Sequence, residues 1–151
     1  MGQRQGDKAL EKQKVVADAS IVVKWFLEEE FSESARLLRD SFLRGRLMIS
    51  VPSLLLYEAL NALRYSGVYK EAELALVGRA LTKYGFDIWE PKGRLIENMA
   101  TLSWRKDVSI YDAAYLTLAQ QLGSTFYTAD QELVRRFPEA AKHISALKLG
   151  K

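Results

Sequence analysis

The chain has 151 residues, of which 48% are apolar, and a formal charge of +3 from 22 basic and 19 acidic side chains. This length and apolar share predict one globular domain with its own core, and the scattered basic residues permit a nucleic-acid partner without requiring one. The absence of cysteine excludes disulfides and thiolate chemistry and favours a cytoplasmic location, while a single histidine, His143, excludes a multi-histidine zinc site.

The first thirteen residues are polar and charged, and a short apolar segment follows them. Residues 1–13 have no apolar periodicity and do not resemble a signal peptide, so we predict a flexible N-terminal extension before a single domain of residues 14–151. Residues 15–17 predict the first strand, which Asp18 ends, and Ser20 is expected to cap a short helix after it. No apolar run in the chain approaches the roughly 18 residues of a membrane helix.

Helices alternate with short strands through the middle of the chain. Helical periodicity and glycine or proline breaks predict helices at residues 32–44, 54–66, 69–83 and 91–106, and strands at 47–51 and 86–89. Ser53 is expected to cap the helix at 54–66. The apolar surface of that helix is broad, so the helix is expected to be largely buried, with Glu58 in its middle and Asn61 one turn away on the same side.

The last third of the chain has the clearest local pattern. Ser109 and Asp112 fit a capping box at a helix start, and Gly123 suits the left-handed residue that ends the helix. A strand at 125–127, a short helix after Asp130 and a last strand at 144–147 complete the prediction. The alternation predicts an α/β fold of three layers, α/β/α, around a mainly parallel central sheet.

Four acids are placed where they could meet in one crevice. Asp18 and Asp130 follow predicted strands, at the edge of a parallel sheet where ligands bind, and Asp112 and Glu58 could face the same place. Carboxylates at close range repel one another unless their pKa values rise or a cation neutralises them. Oxygen ligands select hard ions, so Mg²⁺ or Mn²⁺ is expected, and such an ion suits phosphodiester hydrolysis. Supporting side chains are expected from Ser20, Thr128 and Asn61.

Each acid also has an ordinary structural interpretation. Asp112 and Asp130 suit helix caps, and Asp18 suits a turn. Glu58 could form an ion pair with Arg64 or another base, since an unpaired acid on an apolar helix costs free energy. The residues by themselves leave the role of each acid open.

Four segments carry a resemblance to a known family. They are VVADAS with VKWF at 15–20 and 23–26, YEALN at 57–61, SIYDA at 109–113 and YTAD at 127–130. Together they resemble the PIN-domain family, and most closely its VapC toxins from toxin–antitoxin pairs. The resemblance extends over nearly the whole chain from Lys14 on, and the polar extension before it departs from the family's usual early start.

The resemblance implies a magnesium- or manganese-dependent endoribonuclease that acts on RNA, forms a homodimer and is inhibited by a cognate antitoxin protein. It assigns metal-binding and catalytic roles to four acids, Asp18, Glu58, Asp112 and Asp130. As a mechanistic hypothesis, the three aspartates hold the ion directly, and Glu58 binds a second ion or orients the attacking water.

Two other functions are open to a chain of this pattern. One is a non-catalytic PIN-like module that binds RNA or a protein without cutting. The other is a receiver domain phosphorylated on aspartate, which is also doubly wound. It is disfavoured because the receiver needs an acceptor aspartate at the end of the third strand, where residues 89–91 read Trp-Glu-Pro.

Overall fold

Five parallel strands form one central sheet in the computed structural model, which describes residues 12–148. The strands are β1 (Gln13–Ala17), β2 (Leu47–Pro52), β3 (Asp87–Trp89), β4 (Thr125–Thr128) and β5 (Ala141–His143). Their order across the sheet is β3-β2-β1-β4-β5, and every neighbouring pair is parallel. The predicted α/β fold with a parallel central sheet is confirmed.

Helices cover both faces of this sheet. They are α1 (Ala19–Val23), α2 (Ser32–Leu43), α3 (Leu54–Tyr65), α4 (Glu71–Lys83), α5 (Gly93–Lys106), α6 (Ile110–Leu122) and α7 (Gln131–Arg136). Alternate residues of β1 enter different cores, because side chains along a strand point to opposite faces. Val15 and Ala17 pack with α1 to α4, whereas Val16 packs with α6 and α7. In the part of the chain that the structure describes, no helix combines the length and apolarity needed to cross a bilayer.

Helix α6 is more buried than helix α3. Its residues 113–119 are all buried, while the outer surface of α3 exposes Tyr57, Asn61 and Tyr65. The expectation that α3 is largely buried is therefore wrong. Its apolar residues fill only the side that faces α1 and α4, and Glu58 stands half-buried at the border of that side.

Three local predictions need correction. The sequence predicts the last strand at residues 144–147, but residues 144–146 form a 3₁₀ turn and the last strand is β5. Residues 141–143 have weak strand propensity, and their pairing with β4, in which Ala141 lies opposite Phe126, prevails over it. Ser20 lies inside α1, whose N-cap is Asp18. Ser53 does occupy the N-cap position of α3, but its hydroxyl donates to Glu90 at 3.0 Å instead of capping the helix.

The N-terminal extension is described only at its end. Residues 1–11 of the predicted extension lie outside the described residues. Gln13, its last residue, belongs to β1 and is paired with Leu47. The first strand therefore begins two residues earlier than the apolar pattern predicts, since parallel pairing with β2 continues past the apolar residues.

Candidate active site

The carboxyl ends of two neighbouring strands place Asp18 and Asp130 at the same edge of the sheet. Asp18 directly follows β1, and Asp130 comes two residues after the end of β4. These strands pair side by side, with Ala17 opposite Tyr127. Asp112 lies in the first turn of α6 and Glu58 in the middle of α3. The chain order of the strands reverses between β1 and β4, and in open parallel sheets the crevice outside such a switch point is where ligands bind.

Asp18 has hydrogen-bond donors on both carboxylate oxygens. Its Oδ1 accepts from the backbone N–H of Ser20 at 3.1 Å and from the Ser20 hydroxyl, and its Oδ2 accepts from Thr128 Oγ1 at 2.6 Å. Burial raises the pKa of Asp18 to about 6, the two hydroxyls oppose this rise, and the charge of Glu58 adds to it. Asp18 is therefore a firmly oriented carboxylate that carries its charge at a cost.

The two predicted supporting hydroxyls, Ser20 and Thr128, join the ends of β1 and β4. Thr128 Oγ1 accepts from the N–H of Asp130 at 3.1 Å while it donates to Asp18. Ser20 Oγ accepts from the N–H of Ala129 at 3.0 Å while it donates to Asp18. Each hydroxyl therefore uses both its donor and an acceptor site, and both fix Asp18 relative to the segment that carries Asp130.

Asp112 and Asp130 both take part in helix starts. Ser109 Oγ accepts from the N–H of Asp112 at 3.0 Å, so the predicted cap forms through the backbone of Asp112. Asp130 Oδ1 accepts from the first-turn N–H groups of α7, at 3.0 and 3.2 Å. Capping thus occupies one oxygen of Asp130. Burial raises the pKa of Asp112, and the charge of Asp130 raises it further.

Glu58 has a partner that the sequence analysis did not name. The hydroxyl of Tyr115, which is buried in α6, donates to Glu58 Oε1 at 2.7 Å. Burial raises the pKa of Glu58, and the charge of Asp112 adds to this rise. Among the ion pairs of residues 12–148, none includes Glu58, and Arg64 instead lies 5.0 Å from the ring of Tyr65. Asn61 is exposed, and its supporting role stays a prediction.

Tyr115 could have been found from its spacing. It lies three residues after Asp112, so the two side chains share one side of α6. A tyrosine in a helix whose other central residues are apolar or small needs a partner for its hydroxyl. What the spacing could not show is which acid supplies that partner, because Glu58 is 57 residues away along the chain.

The four acids interact electrostatically as a series of neighbours. The charge of Glu58 raises the pKa of Asp18, that of Asp112 raises the pKa of Glu58, and that of Asp130 raises the pKa of Asp112. No ion pair within residues 12–148 joins a basic side chain to any of these acids. Such a set of carboxylate oxygens fits a hard divalent cation, which would remove the mutual repulsion. Within residues 12–148, however, no three acidic or histidine side chains lie close enough together to hold one ion.

Comparison with known proteins identifies the family. The PIN domain family model matches residues 15–139. The chain belongs to the PIN domain family. It is 26% identical over 134 residues to the protein named Ribonuclease VapC3 of Pyrobaculum aerophilum, with 83% of this chain and 95% of that protein covered. The resemblance to VapC proteins that the sequence predicts is therefore confirmed.

Solved structures of other proteins have the same fold. VapC20 of Mycobacterium tuberculosis, described as a toxin that cleaves the sarcin–ricin loop, superposes with a TM-score of 0.61 at 15% identity, covering 76% of this chain and 87% of VapC20. VapBC2 of Rickettsia felis, solved with a fragment of promoter DNA, superposes with a TM-score of 0.61 at 14% identity, covering 87% and 98%. At these identities the structures support the fold of the chain.

Proposed function

We propose that this PIN domain is a divalent-metal-dependent endoribonuclease of the VapC type, which hydrolyses phosphodiester bonds in RNA. The observation that carries the proposal is the group of four mutually repelling carboxylates at the carboxyl edge of the sheet. The raised pKa values of Asp18, Glu58 and Asp112 favour a bound cation, since no ion pair of the described chain supplies a base that would neutralise these acids. The relative named Ribonuclease VapC3 supports the choice of RNA as substrate.

In this proposal the aspartates Asp18, Asp112 and Asp130 hold the ion, and Glu58 holds a second ion or orients the attacking water. When bound, Mg²⁺ or Mn²⁺ supplies a Lewis acid and lowers the pKa of a bound water. Asp18 Oδ1 accepts from both the N–H and the hydroxyl of Ser20, whereas Oδ2 accepts only from Thr128 and keeps a lone pair for a cation. Capping of α7 occupies Oδ1 of Asp130, and Oδ2, which accepts no hydrogen bond within residues 12–148, would be the oxygen available to the ion.

The hydroxyls of Ser20 and Thr128 would orient the carboxylates in this proposal. Both contact Asp18, and both accept an N–H from the segment that leads to Asp130. Partners of this kind keep ligand carboxylates in place before the ion arrives, which reduces the cost of ordering them. The two hydroxyls therefore connect two proposed ligands that are more than a hundred residues apart in sequence.

The proposal extends to the partners of the protein. VapBC2 and a toxin–antitoxin complex from Klebsiella pneumoniae share the fold, which supports a cognate antitoxin as partner. A homodimer is part of the proposal, and it would cover an exposed apolar side chain such as Trp104 on α5, which is 89% exposed. An RNA substrate would place the protein in the cytoplasm, as the cysteine-free composition also favours.

Replacing Asp18 tests the proposed activity. Purified protein would be incubated with total RNA in Mn²⁺ or in EDTA, and Asp18→Asn should abolish cleavage while the circular dichroism spectrum stays unchanged. Asp40→Asn on α2, where the acid pairs with Arg39, is the matched control and should cleave like the wild type. A fully active Asp18→Asn protein, or cleavage that EDTA leaves intact, would refute the assignment.

One observation favours a second candidate function. Within the described part of the chain, no three acidic side chains lie close enough together to hold one ion, and this spacing suits a PIN-like module that binds RNA or a protein without cutting it. Binding and cleavage of one labelled RNA would be measured side by side in Mn²⁺. Retention of the RNA without product formation, at every Mn²⁺ concentration, would favour this module over the nuclease.

A further inference from the structure

Tyr115 makes the one described hydrogen bond to the carboxylate of Glu58. Its hydroxyl donates to Oε1 at 2.7 Å, and only 2% of the residue is exposed. The ring of Tyr115 stacks on the ring of Phe126, with centroids 5.7 Å apart and planes inclined by 9°. Because the ring is buried and stacked, the position of the hydroxyl is fixed by the core, and the hydroxyl in turn fixes Glu58.

The stacking links Glu58 to the strand that also orients Asp18. Phe126 lies in β4, and Thr128, two residues later in the same strand, donates to Asp18 Oδ2 at 2.6 Å. Two of the four acids are therefore oriented by side chains of one short strand, directly through Thr128 and indirectly through Phe126 and Tyr115. Glu58 comes from α3, whose outer surface is exposed. Of the four acids, it therefore depends most on a buried side chain to keep its carboxylate in one orientation.

A glutamate has three rotatable side-chain bonds, and fixing them costs free energy. A hydrogen bond from a rigid phenol supplies that order before any ion or water arrives. A phenol hydroxyl can only donate to a carboxylate, and here it donates to Oε1. In the described chain Oε2 receives no hydrogen bond, and it is the oxygen left for the crevice.

We propose that Tyr115 is a positioning residue for the metal site, which holds Glu58 through Oε1 and leaves Oε2 available as a ligand of a bound ion. The inference rests on the proposed function, because it assumes that the crevice binds a divalent ion. The inference adds Tyr115 to the proposed site, with the role of orienting Glu58. Loss of a hydrogen-bond partner to a metal ligand typically weakens metal affinity by about 10- to 100-fold.

Tyr115→Phe tests this role, because phenylalanine keeps the ring and its stacking and removes only the hydroxyl. Binding of Mn²⁺ to the protein would be measured by isothermal titration calorimetry in the absence of RNA. We expect Tyr115→Phe to weaken Mn²⁺ binding by about 10-fold or more. We also expect cleavage of RNA by the variant to need a correspondingly higher Mn²⁺ concentration for half-maximal rate.

Tyr69→Phe is the matched control. It removes a tyrosine hydroxyl that donates to the carbonyl oxygen of Phe26, away from the four acids. This variant should bind Mn²⁺ like the wild type, even if its melting temperature falls. If Tyr115→Phe also lowers only the melting temperature and binds Mn²⁺ with wild-type affinity, Tyr115 is a structural residue and the inference is overturned.

A double-mutant cycle with Glu58→Gln shows whether Tyr115 acts through Glu58. If it does, Tyr115→Phe should change Mn²⁺ affinity much less in the Glu58→Gln background than in the wild type. An equal change in both backgrounds would overturn the inference.

Two results separate this inference from the proposed function. If the wild type binds Mn²⁺ and Asp18→Asn abolishes cleavage, an unaffected Tyr115→Phe defeats the role of Tyr115 alone. If the wild type binds no Mn²⁺, the proposed function and the inference fail together.

Discussion

Replacing Asp18 by asparagine should stabilise the metal-free protein at neutral and alkaline pH. Burial raises the pKa of Asp18 from 3.8 to about 6 in the folded chain. Because the folded-state pKa lies above that of the unfolded chain, folding favours the neutral carboxyl group. Its contribution to stability is complete below about pH 4 and is lost as the pH rises through about 6. Asparagine carries no charge, so its contribution to stability does not change over this pH range.

The size of the effect follows from the pKa difference. At about 1.4 kcal/mol per pH unit, the change from 3.8 to about 6 corresponds to about 3 kcal/mol of unfolding free energy lost by the wild type above pH 7. Asparagine has one acceptor oxygen where Asp18 uses two, for Ser20 and for Thr128, so one hydrogen bond is lost at about 1 kcal/mol. We expect Asp18→Asn to be about 2 kcal/mol more stable at pH 8 and about 1 kcal/mol less stable at pH 4.

Urea unfolding in EDTA, followed by circular dichroism at several pH values from 4 to 8, measures this difference. The two stability curves should cross between those limits. Mn²⁺ should then stabilise the wild type at pH 8 and have little effect on Asp18→Asn. Parallel curves for the two proteins, or a variant that is less stable at pH 8, would show that Asp18 carries no buried charge and would refute the reasoning.

Three further substitutions test single elements of the site. Ser109→Ala removes the acceptor at the start of α6 and should lower the unfolding free energy by about 1 kcal/mol, whereas an unchanged urea midpoint would mean that the cap contributes nothing. Thr128→Val keeps the side-chain shape but removes the hydrogen bonds to Asp18 and from the N–H of Asp130. It should cost about 1–3 kcal/mol in urea unfolding and slow RNA cleavage, and wild-type values in both assays would contradict this. Gly123→Ala places a Cβ at φ 61° and should cost about 1 kcal/mol in thermal unfolding with no change in Mn²⁺ binding; equal melting temperatures would argue against a strained left-handed residue.

Local patterns predicted the ends of helices and strands well where the contacts that determine those ends join residues close together in sequence. Ser109 caps α6, and Gly123 ends it in the left-handed conformation, as expected. The prediction failed where a distant strand decides the structure: β4 pairs with residues 141–143, so the last strand lies there and not at the predicted residues 144–147. It also failed at Ser20, since Asp18 is the residue with extended backbone that can cap α1.

The alternation of helices and strands, and the position of acids at the ends of those elements, follow from the sequence by itself. These features depend on residues up to four positions apart, whose spacing sets periodicity, caps and stops. Tertiary structure alone decided that β1 lies beside β4, that Thr128 contacts Asp18 across 110 residues, and that Tyr115 binds Glu58 across 57. The physical reason is that burial and strand order bring these groups together, and neither is encoded in the spacing of nearby residues.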